Sequence, residues 1–341
     1  MANRAIDDPL FDLASYARGG SGRRDHLTPA QAQQVARTVG RTPEVMVKVL
    51  PHGANDLGAV RRHLDYIGRK GDVDLETDDG EKLRDPQAGK ELVEDWDLEL
   101  DAQRSRADLV SRPCRTPPKL VHKLMFSMPA GTPPGKVLHA VQNFCREEFA
   151  LKHRYVMALH TDEPHPHVHV AIKALSEQAA RLQIRKATLR QWRTDFARHL
   201  RAVGVPANAT NRYVRGEVGL RKSDGIYRAA LRGQSTHMRD RVRTVASEVF
   251  AGELRVERQK AGIMHTRNEV RRAWHAVSDI LVRQRHIDLA KQVRRFADQM
   301  PPVMTDKEYI AAKLREQHRD GTLRQDALST PSRFTPPQKS R

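Results

Sequence analysis

Cysteine and long apolar runs are scarce in this chain, and each scarcity excludes a class of protein. Two cysteines, Cys114 and Cys145, are too few for the disulfide framework of a small secreted domain, so the sequence favours a reducing compartment. No apolar run approaches the roughly 20 residues of a spanning helix, which predicts no membrane insertion. The opening MANRAIDDPLFDL lacks the basic start and apolar core of a secretion signal, so we expect a cytoplasmic protein.

Basic residues, by contrast, are in excess. The 341 residues include 60 Lys or Arg against 42 Asp or Glu, which makes the formal net charge +18. This excess attracts polyanions, and nucleic acid is the partner that it fits best. A chain of this length has room for one sizeable domain and a second, smaller one.

Histidines cluster in the segment RYVMALHTDEPHPHVHVAIKA, residues 154–174, where alternation with period two predicts two strands and a tight loop. His167 and His169 share one face of the second strand, and His160 can approach them from the first if the strands pair antiparallel. Three imidazoles that converge on a sheet can hold a divalent cation. Coincidence is the alternative in a chain with 16 histidines, but two of them at strand spacing between hydrophobic residues favour a metal site.

Short strands and amphipathic helices are predicted in the rest of the chain. Periodicity predicts strands at 45–50 and 119–128 and helices at 28–39, 57–69, 136–149, 187–204 and 306–319. A long helical pattern covers 240–300, Asn55 is the predicted N-cap of the helix at 57–69, and residues 85–118 have no clear pattern.

The acidic segment DVDLETDDGEKL is predicted to be a solvated hairpin that turns at Asp79-Gly80. A calcium loop that starts at Asp72 is excluded, because Thr77 and Leu83 stand where the loop requires Gly and Glu.

Cleavage of a phosphodiester on this metal site would still need a nucleophile. The sequence has neither a Gly-x-Ser-x-Gly elbow nor a phosphate-cradling Gly-x-x-x-x-Gly-Lys loop. Water is one candidate. Tyrosine is the other, because a phosphotyrosine conserves the energy of the broken bond for later resealing. The ordinary pKa of tyrosine is about 10, so a metal or base must assist its deprotonation.

Three motifs follow one another along the chain: HLDYIGRKG at 63–71, LMFSMPAGT at 124–132 and HTDEPHPHVHV at 160–170. Together they resemble the motifs of the relaxase/mobilisation nucleases of the MOB-P class, in the HUH endonuclease superfamily. HTDEPHPHVHV resembles the third motif, whose pattern falls on His160, Asp162, His167 and His169. HLDYIGRKG resembles the first motif, which carries the catalytic tyrosine and places it at Tyr66. LMFSMPAGT resembles the second, whose DNA-positioning serine is Ser127. Many members carry Asn shortly after the histidine pair, where this chain has Lys173.

The resemblance implies an α+β fold, an antiparallel β-sheet covered by helices, followed by a helical C-terminal module. It implies Mg²⁺ or Mn²⁺ on the three histidines, although three nitrogen ligands alone would also accept zinc or nickel. Tyr66 would attack the scissile phosphate and stay joined to the 5′ end. Asp162 would orient an imidazole, with a loop cap as the alternative. The implied function is strand-specific nicking at a plasmid transfer origin, which starts conjugative mobilisation.

The implied partners are single-stranded DNA at a transfer origin, relaxosome accessory proteins and a type IV secretion coupling protein. We expect the basic helix at 187–204 and the Arg-rich segment after it to hold the strand, through Arg190, Arg193, Arg212 and Arg215. The domain boundaries that we predict are a leader with a short helix at 1–42, a relaxase nuclease domain at 43–205, a basic linker at 206–240, a helical module at 241–325 and a disordered tail at 326–341.

Other tyrosines and other functions stay open from the sequence alone. Tyr16 is the main competitor as nucleophile, whereas Tyr155 alternates onto the core side of its strand. In relaxases the tyrosine precedes the histidine strand, and in rolling-circle replication initiators of the same superfamily it follows. Tyr213 and Tyr227 follow, so that function is one alternative. A non-catalytic basic DNA-binding scaffold protein with a structural metal is another.

Overall fold

The computed structural model describes residues 25–50, 55–111, 118–216 and 235–319, together with Leu13 and Tyr16. Cys114, Tyr227 and the predicted tail at 326–341 lie outside the described residues. The chain divides into two compact units. We call residues 41–209 the sheet unit, and residues 1–40 with 210–340 the helical unit. None of the described helices combines the length and apolar character that a membrane crossing requires.

A six-stranded sheet organises the sheet unit, with every neighbouring pair antiparallel and the strand order β1-β4-β6-β5-β2-β3. The strands are β1 (Met46–Val49), β2 (Leu75–Thr77), β3 (Lys82–Leu83), β4 (Val121–Ser127), β5 (Tyr155–His160) and β6 (His167–Lys173). The described helices are α1 (Pro29–Val39), α2 (Leu57–Ile67), α3 (Ala88–Asp95), α4 (Leu98–Ser111), α5 (Pro134–Phe149), α6 (Lys186–Ala202), α7 (Thr236–Phe250), α8 (Gln259–Arg283), α9 (Ile287–Asp298) and α10 (Asp306–Arg319).

Helices cover both faces of this sheet, because one face of the central strands is apolar and part of the other also carries small or apolar residues. On one face Phe126 and Val170 pack against α5 and α6 through Phe144 and Trp192. On the other, α2, α3 and α4 pack against a set that includes Leu75, Val121, Val156, Ala158 and Ala171. The predicted α+β class, an antiparallel sheet covered by helices with a helical C-terminal part, is confirmed.

Local signals decide where α2 begins and ends. The predicted cap at Asn55 is wrong by one residue: the carboxylate of Asp56 accepts a hydrogen bond from the Ala59 amide at 2.7 Å. The helix ends at Ile67, two residues before the predicted end, because Gly68 caps it and the chain then turns away.

The described part of residues 85–118, where the sequence analysis recognised no pattern, contains two helices, α3 and α4. The sequence of α4, LELDAQRSRADLVS, spreads its few apolar residues around the helix instead of concentrating them in one stripe. The predicted acidic hairpin is confirmed, since β2 pairs with β3 and Gly80 takes a φ of 92° in the turn between them.

The helical unit has an aromatic core of its own. Trp274 of α8 is fully buried and donates a hydrogen bond to the carbonyl of Val214 at 2.8 Å. Tyr16 packs in the same core, where its hydroxyl donates to the side chain of Gln31 at 3.1 Å. A separate small core joins α7 to α10 through residues such as Val245 and Ile310.

Candidate active site

Three histidines converge where β5 ends and β6 begins. His160 stands directly opposite His167, and His169 follows two residues later on the same face of β6. Their ring centroids are 4.7, 5.2 and 5.3 Å apart, and one nitrogen of each lies within 4.8 Å of the others. His160 and His169 are buried, and His167 is half-buried. The structure therefore brings together the three predicted metal ligands on one side of the sheet, which we call the histidine face.

Hydrogen bonds to main-chain carbonyls select the tautomer of two of these imidazoles. His160 Nε2 donates to the carbonyl of Ile67 at 2.7 Å, and His167 Nδ1 donates to the carbonyl of His165 at 3.0 Å. A carbonyl only accepts, so His160 Nδ1 and His167 Nε2 keep their lone pairs for another partner.

Two buried nitrogens in the cluster lack a hydrogen-bond partner among the described residues, namely Nδ1 of His160 and Nδ1 of His169. Buried polar atoms without a partner are rare, and coordination of an ion is one of the arrangements that satisfies them. Three imidazole nitrogens at this separation fit a divalent cation in number and chemistry.

Burial favours the neutral form of His160 and His169. Desolvation, with smaller contributions from His160 and His167, lowers the pKa of His169 to about 3. Desolvation is also the largest effect on His160, whose pKa is lowered as well. Neutral imidazole is the form that coordinates metals, so the folded chain holds these two histidines in the protonation state that a metal would require.

Tyr66 lies in the last turn of α2, beside the cluster. Its ring is edge-on to His160 and His169, with centroid separations of 6.2 and 6.1 Å. On α2 itself, His63 lies nearly parallel to the Tyr66 ring at 6.4 Å, with 22° between the planes. The tyrosine is 52% exposed, which leaves it open to a ligand from solvent.

The other tyrosines have different surroundings. Tyr16 and Tyr155 are 1% and 2% exposed, and Tyr155 packs on the face of the sheet opposite the histidines. Burial raises the pKa of Tyr155 well above the ordinary range. Tyr213 is 43% exposed in the helical unit. In the sheet unit, Tyr66 is thus the described tyrosine that both adjoins the histidines and is exposed.

Arg69, which the sequence analysis missed, contacts Tyr66 and Asp162 at once. The guanidinium carbon lies 5.0 Å from the centroid of the Tyr66 ring. Its Nη2 donates to Asp162 Oδ2 at 2.6 Å. This ion pair joins Asp162 to the residues that directly follow α2. Its three-residue spacing from Tyr66 was a usable signal, although no motif required it.

His63 is a second residue that the sequence analysis missed. It is three residues before Tyr66, the spacing that brings two side chains onto one flank of a helix. Desolvation first, then the charges of Lys123 and His160, lower its pKa to about 4. Its Nε2 is buried with no hydrogen-bond partner among the residues that the structure describes. The flank of α2 that faces the cluster therefore adds a fourth imidazole.

Ser127 is adjacent to the cluster through sheet register. It stands opposite His167 on β4, and its hydroxyl donates to the carbonyl of Met128 at 3.4 Å. Met125, two residues before Ser127 on β4, pairs with His169 of β6 on one side and with Lys48 of β1 on the other. Lys48 is exposed, so a cation lies on this face within the same row of residues as His169.

Further cations adjoin the histidine face. Lys123 of β4 points to this face and is buried; desolvation, followed by the charge of Arg62, lowers its pKa. Arg62 extends from α2 with a side chain that is 75% exposed and lies 3.9 Å from Asp56. Lys48, Lys123 and Arg62 were not singled out from the sequence, because nothing in the periodicity places β1, β4 and α2 side by side.

Of the four arginines predicted to bind DNA, two belong to the sheet unit and two to the helical unit. Helix α6, which carries Arg190 and Arg193, packs on the face opposite the histidines. Arg190 is exposed, whereas Arg193 is half-buried and donates to the carbonyl of Val47 at 3.3 Å. In the helical unit, Arg212 is exposed and Arg215 donates to the carbonyl and hydroxyl of Thr210.

Lys173, which replaces the Asn of many members of the resembled family, is at the end of β6. It is buried, and its Nζ lies 3.8 Å from Asp101 of α4 and 3.9 Å from Glu177. The departure from the motif is therefore accommodated by an ion pair with the helix that covers this end of the sheet.

A comparison with protein families agrees with this geometry. The family model described as Relaxase: MobA/VirD2-like, nuclease domain matches residues 66–204. The match begins at Tyr66, includes the three histidines and Ser127, and ends just after α6. Comparisons with curated proteins and with solved structures give no match. Residues 66–204 therefore match a MobA/VirD2-like relaxase nuclease domain, and this match supports a relaxase of the HUH nuclease type.

Proposed function

We propose that this relaxase nicks one DNA strand at a plasmid transfer origin, with Tyr66 as the nucleophile. The phenol of Tyr66 loses its proton as its oxygen attacks the scissile phosphorus. The bond from phosphorus to the 3′ oxygen breaks, and that oxygen takes up a proton in exchange and leaves as a 3′-hydroxyl. The 5′ phosphate stays joined to Tyr66. Because one ester replaces another, attack by a 3′-hydroxyl can later reseal the strand. The observation that carries the proposal is the exposed ring of Tyr66, 6.1 and 6.2 Å from two histidines of the cluster.

We propose His160, His167 and His169 as the ligands of the divalent ion, with Mg²⁺ or Mn²⁺ as the first candidates. When bound, the ion would polarise the phosphate and neutralise its developing charge. The chain prepares the ligands: the carbonyl of Ile67 fixes His160, and the carbonyl of His165 fixes His167. Because imidazole ligands also suit zinc and nickel, both ions belong in any metal titration.

The strand is proposed to cross the histidine face. Ser127, next to His167, would position the nucleotide at the scissile phosphate. Lys48 and Arg62 are exposed cations near the same face and would bind neighbouring phosphates. Arg190, Arg193, Arg212 and Arg215 are proposed to bind flanking strand, since the two on α6 lie on the other side of the sheet.

Conjugative mobilisation is the biological role that we propose. It would take relaxosome accessory proteins and a type IV secretion coupling protein as further partners. The order of the residues supports this role over replication initiation, since Tyr66 precedes the histidine strands in the chain.

The test is a nicking assay on supercoiled plasmid that carries the cognate transfer origin. Wild type and Tyr16→Phe are expected to give nicked circles and a covalent protein–DNA adduct, and Tyr66→Phe or chelator to give neither. Sequencing the bound strand end maps the nick. DNA binding without any adduct would support the scaffold function instead. Preference for a replication origin, with an adduct that survives in Tyr66→Phe, would support the replication initiator.

A further inference from the structure

We infer that Arg69 and Asp162 form a clasp that holds the ring of Tyr66 in the orientation for attack. The inference deepens the proposed function and rests on it, because Tyr66 is the nucleophile of that reaction. Arg69 acts through the tyrosine and is therefore a positioning residue. The clasp also gives Asp162 a role other than the orientation of an imidazole.

The first support is the pair of contacts that Arg69 makes. Its guanidinium carbon lies 5.0 Å from the centroid of the Tyr66 ring, within the range of a cation–π interaction. The same group donates to Asp162 Oδ2 at 2.6 Å, a short charge-assisted hydrogen bond. Asp162 follows His160 by two residues, so the clasp joins the end of the tyrosine helix to the loop that follows the first histidine strand.

The second support is the backbone after α2. Arg69 and Lys70 have φ values of 50° and 55°, in the left-handed region that residues other than Gly rarely adopt. This turn brings Arg69 back over the residue three positions earlier. Unfavourable backbone conformations of this kind persist where the surrounding structure holds them, and they concentrate at functional sites.

The third support is the way in which the ring of Tyr66 is otherwise held. The rings of His160 and His169 are steeply inclined to it, and His63 lies nearly parallel to it. The ring is half-exposed, so Arg69 adds a contact that these imidazoles do not supply. Loss of that contact would let the phenol depart from its line of attack, and a displacement of about 1 Å can slow an enzymatic reaction roughly 100-fold.

The clasp is suited to orientation more than to stability. The side chains of Arg69 and Asp162 are 34% and 54% exposed. Exposed ion pairs contribute little to the free energy of unfolding, because water screens the two charges and because holding two side chains in one geometry costs conformational entropy. Substitutions in the clasp should therefore slow the reaction while the melting temperature stays nearly unchanged.

The experiment compares Arg69→Met, Asp162→Asn and the double variant with wild type. Lys70→Met is the matched control, because Lys70 has the same charge and nearly the same φ in the same turn. We measure the single-turnover rate of adduct formation at saturating oligonucleotide, the Kd for that oligonucleotide, and the affinity for Mn²⁺ by calorimetry.

Arg69→Met is expected to slow adduct formation roughly 10- to 100-fold. Its oligonucleotide Kd should change no more than that of Lys70→Met, and its Mn²⁺ affinity should stay within twofold of wild type. Asp162→Asn should slow the reaction less, because the guanidinium can still lie over the ring. The double variant should be no slower than Arg69→Met, since the two residues act as one unit. Arg69→Lys, which keeps the charge, should recover part of the rate.

Two results would overturn the clasp. If the fold-reductions in the rate of adduct formation of the two single variants multiply in the double variant, Arg69 and Asp162 act independently. If Asp162→Asn weakens Mn²⁺ binding tenfold or more, Asp162 orients a metal-binding histidine, as substitutions behind metal ligands commonly show.

A spectroscopic arm separates the failure of the clasp from the failure of the proposed function. 3-Fluorotyrosine at position 66 reports the surroundings of the ring by fluorine NMR on DNA-free protein. Wild type and Lys70→Met should share one shifted line, and Arg69→Met and Asp162→Asn should move it toward the position of the unfolded chain. If wild type forms no adduct on any origin, the proposed function fails, and the fluorine NMR signal alone then tests the clasp. A signal that has the same position in wild type, Arg69→Met and Asp162→Asn would refute the clasp.

Discussion

A divalent ion is expected to raise the melting temperature of this protein through the three histidines of the cluster. Binding to the folded state alone stabilises it by RT ln(1 + [L]/Kd), about 2.7 kcal/mol when the free ion is at 100 times its Kd. For a folding unit of 150 to 250 residues, 1 kcal/mol changes the melting temperature by roughly 2–4 °C. Because residues 41–209 form a unit of that size, we expect a rise of roughly 5–10 °C.

His167→Ala is the variant that isolates this effect. His167 is the least buried of the three ligands, and its described hydrogen bond is to the carbonyl of nearby His165. The variant should therefore fold as wild type does without metal, yet lose most of the rise that the ion produces. His139→Ala, which removes an exposed histidine on α5, is the matched control and should keep the full rise.

The assay is thermal unfolding in chelator and in millimolar Mg²⁺, Mn²⁺, Zn²⁺ and Ni²⁺. An equal rise in wild type and His167→Ala would place the ion at another site. Absence of any rise in wild type with all four ions would refute the metal site itself. The rank order among the four ions would identify the preferred metal independently of any DNA substrate.

Two further predictions concern the DNA surface and the response to pH. For a short oligonucleotide that covers only the nick site, Arg62→Gln should reduce the slope of log K against log salt by roughly 0.7, the value of one phosphate contact. Arg190→Gln, on the other face of the sheet, should leave that slope unchanged. An equal reduction of the slope in Arg62→Gln and Arg190→Gln would contradict the proposed path of the strand. Desolvation lowers the pKa of buried His122 from 6.5 to about 4, so its neutral form stabilises the fold above pH 6.5 and this stability is lost as the pH falls toward 4. Between pH 7.5 and pH 4, the free energy of unfolding measured in urea should fall by up to roughly 3 kcal/mol more in wild type than in His122→Gln. An equal fall in both proteins would refute the lowered pKa of His122.

The sequence by itself determined the elements whose pattern is local. Alternation with period two places His167 and His169 on one face of β6, and it does so whatever packs on that face. The apolar stripe of α2, formed by Val60, Leu64 and Ile67, follows from helical periodicity in the same way. The stretch at 85–118 was not recognised, because α4 carries no such stripe and its burial depends on neighbours that are distant in sequence.

Tertiary packing decided the surroundings of the tyrosine. Tyr16 and Tyr66 are both candidates for the nucleophile in the sequence. The structure distinguishes them, because Tyr16 is buried and Tyr66 is exposed beside the histidines. The contact of Arg69 with Asp162 joins residues that are 93 positions apart. Such a contact depends on how α2 lies across the sheet and on the left-handed turn that ends it, and periodicity encodes neither.

The same physical reason explains why spacing alone did not show which face of the sheet the basic helix covers. A basic helix at 187–204 is evident in the sequence, but its apolar stripe fits the face of the sheet that lacks the histidines. Which of two faces a helix covers depends on the size and shape of the side chains on both, summed over the whole sheet. Local pattern therefore determined which histidines share one face of β6, and global packing determined which cations and which tyrosine lie beside them.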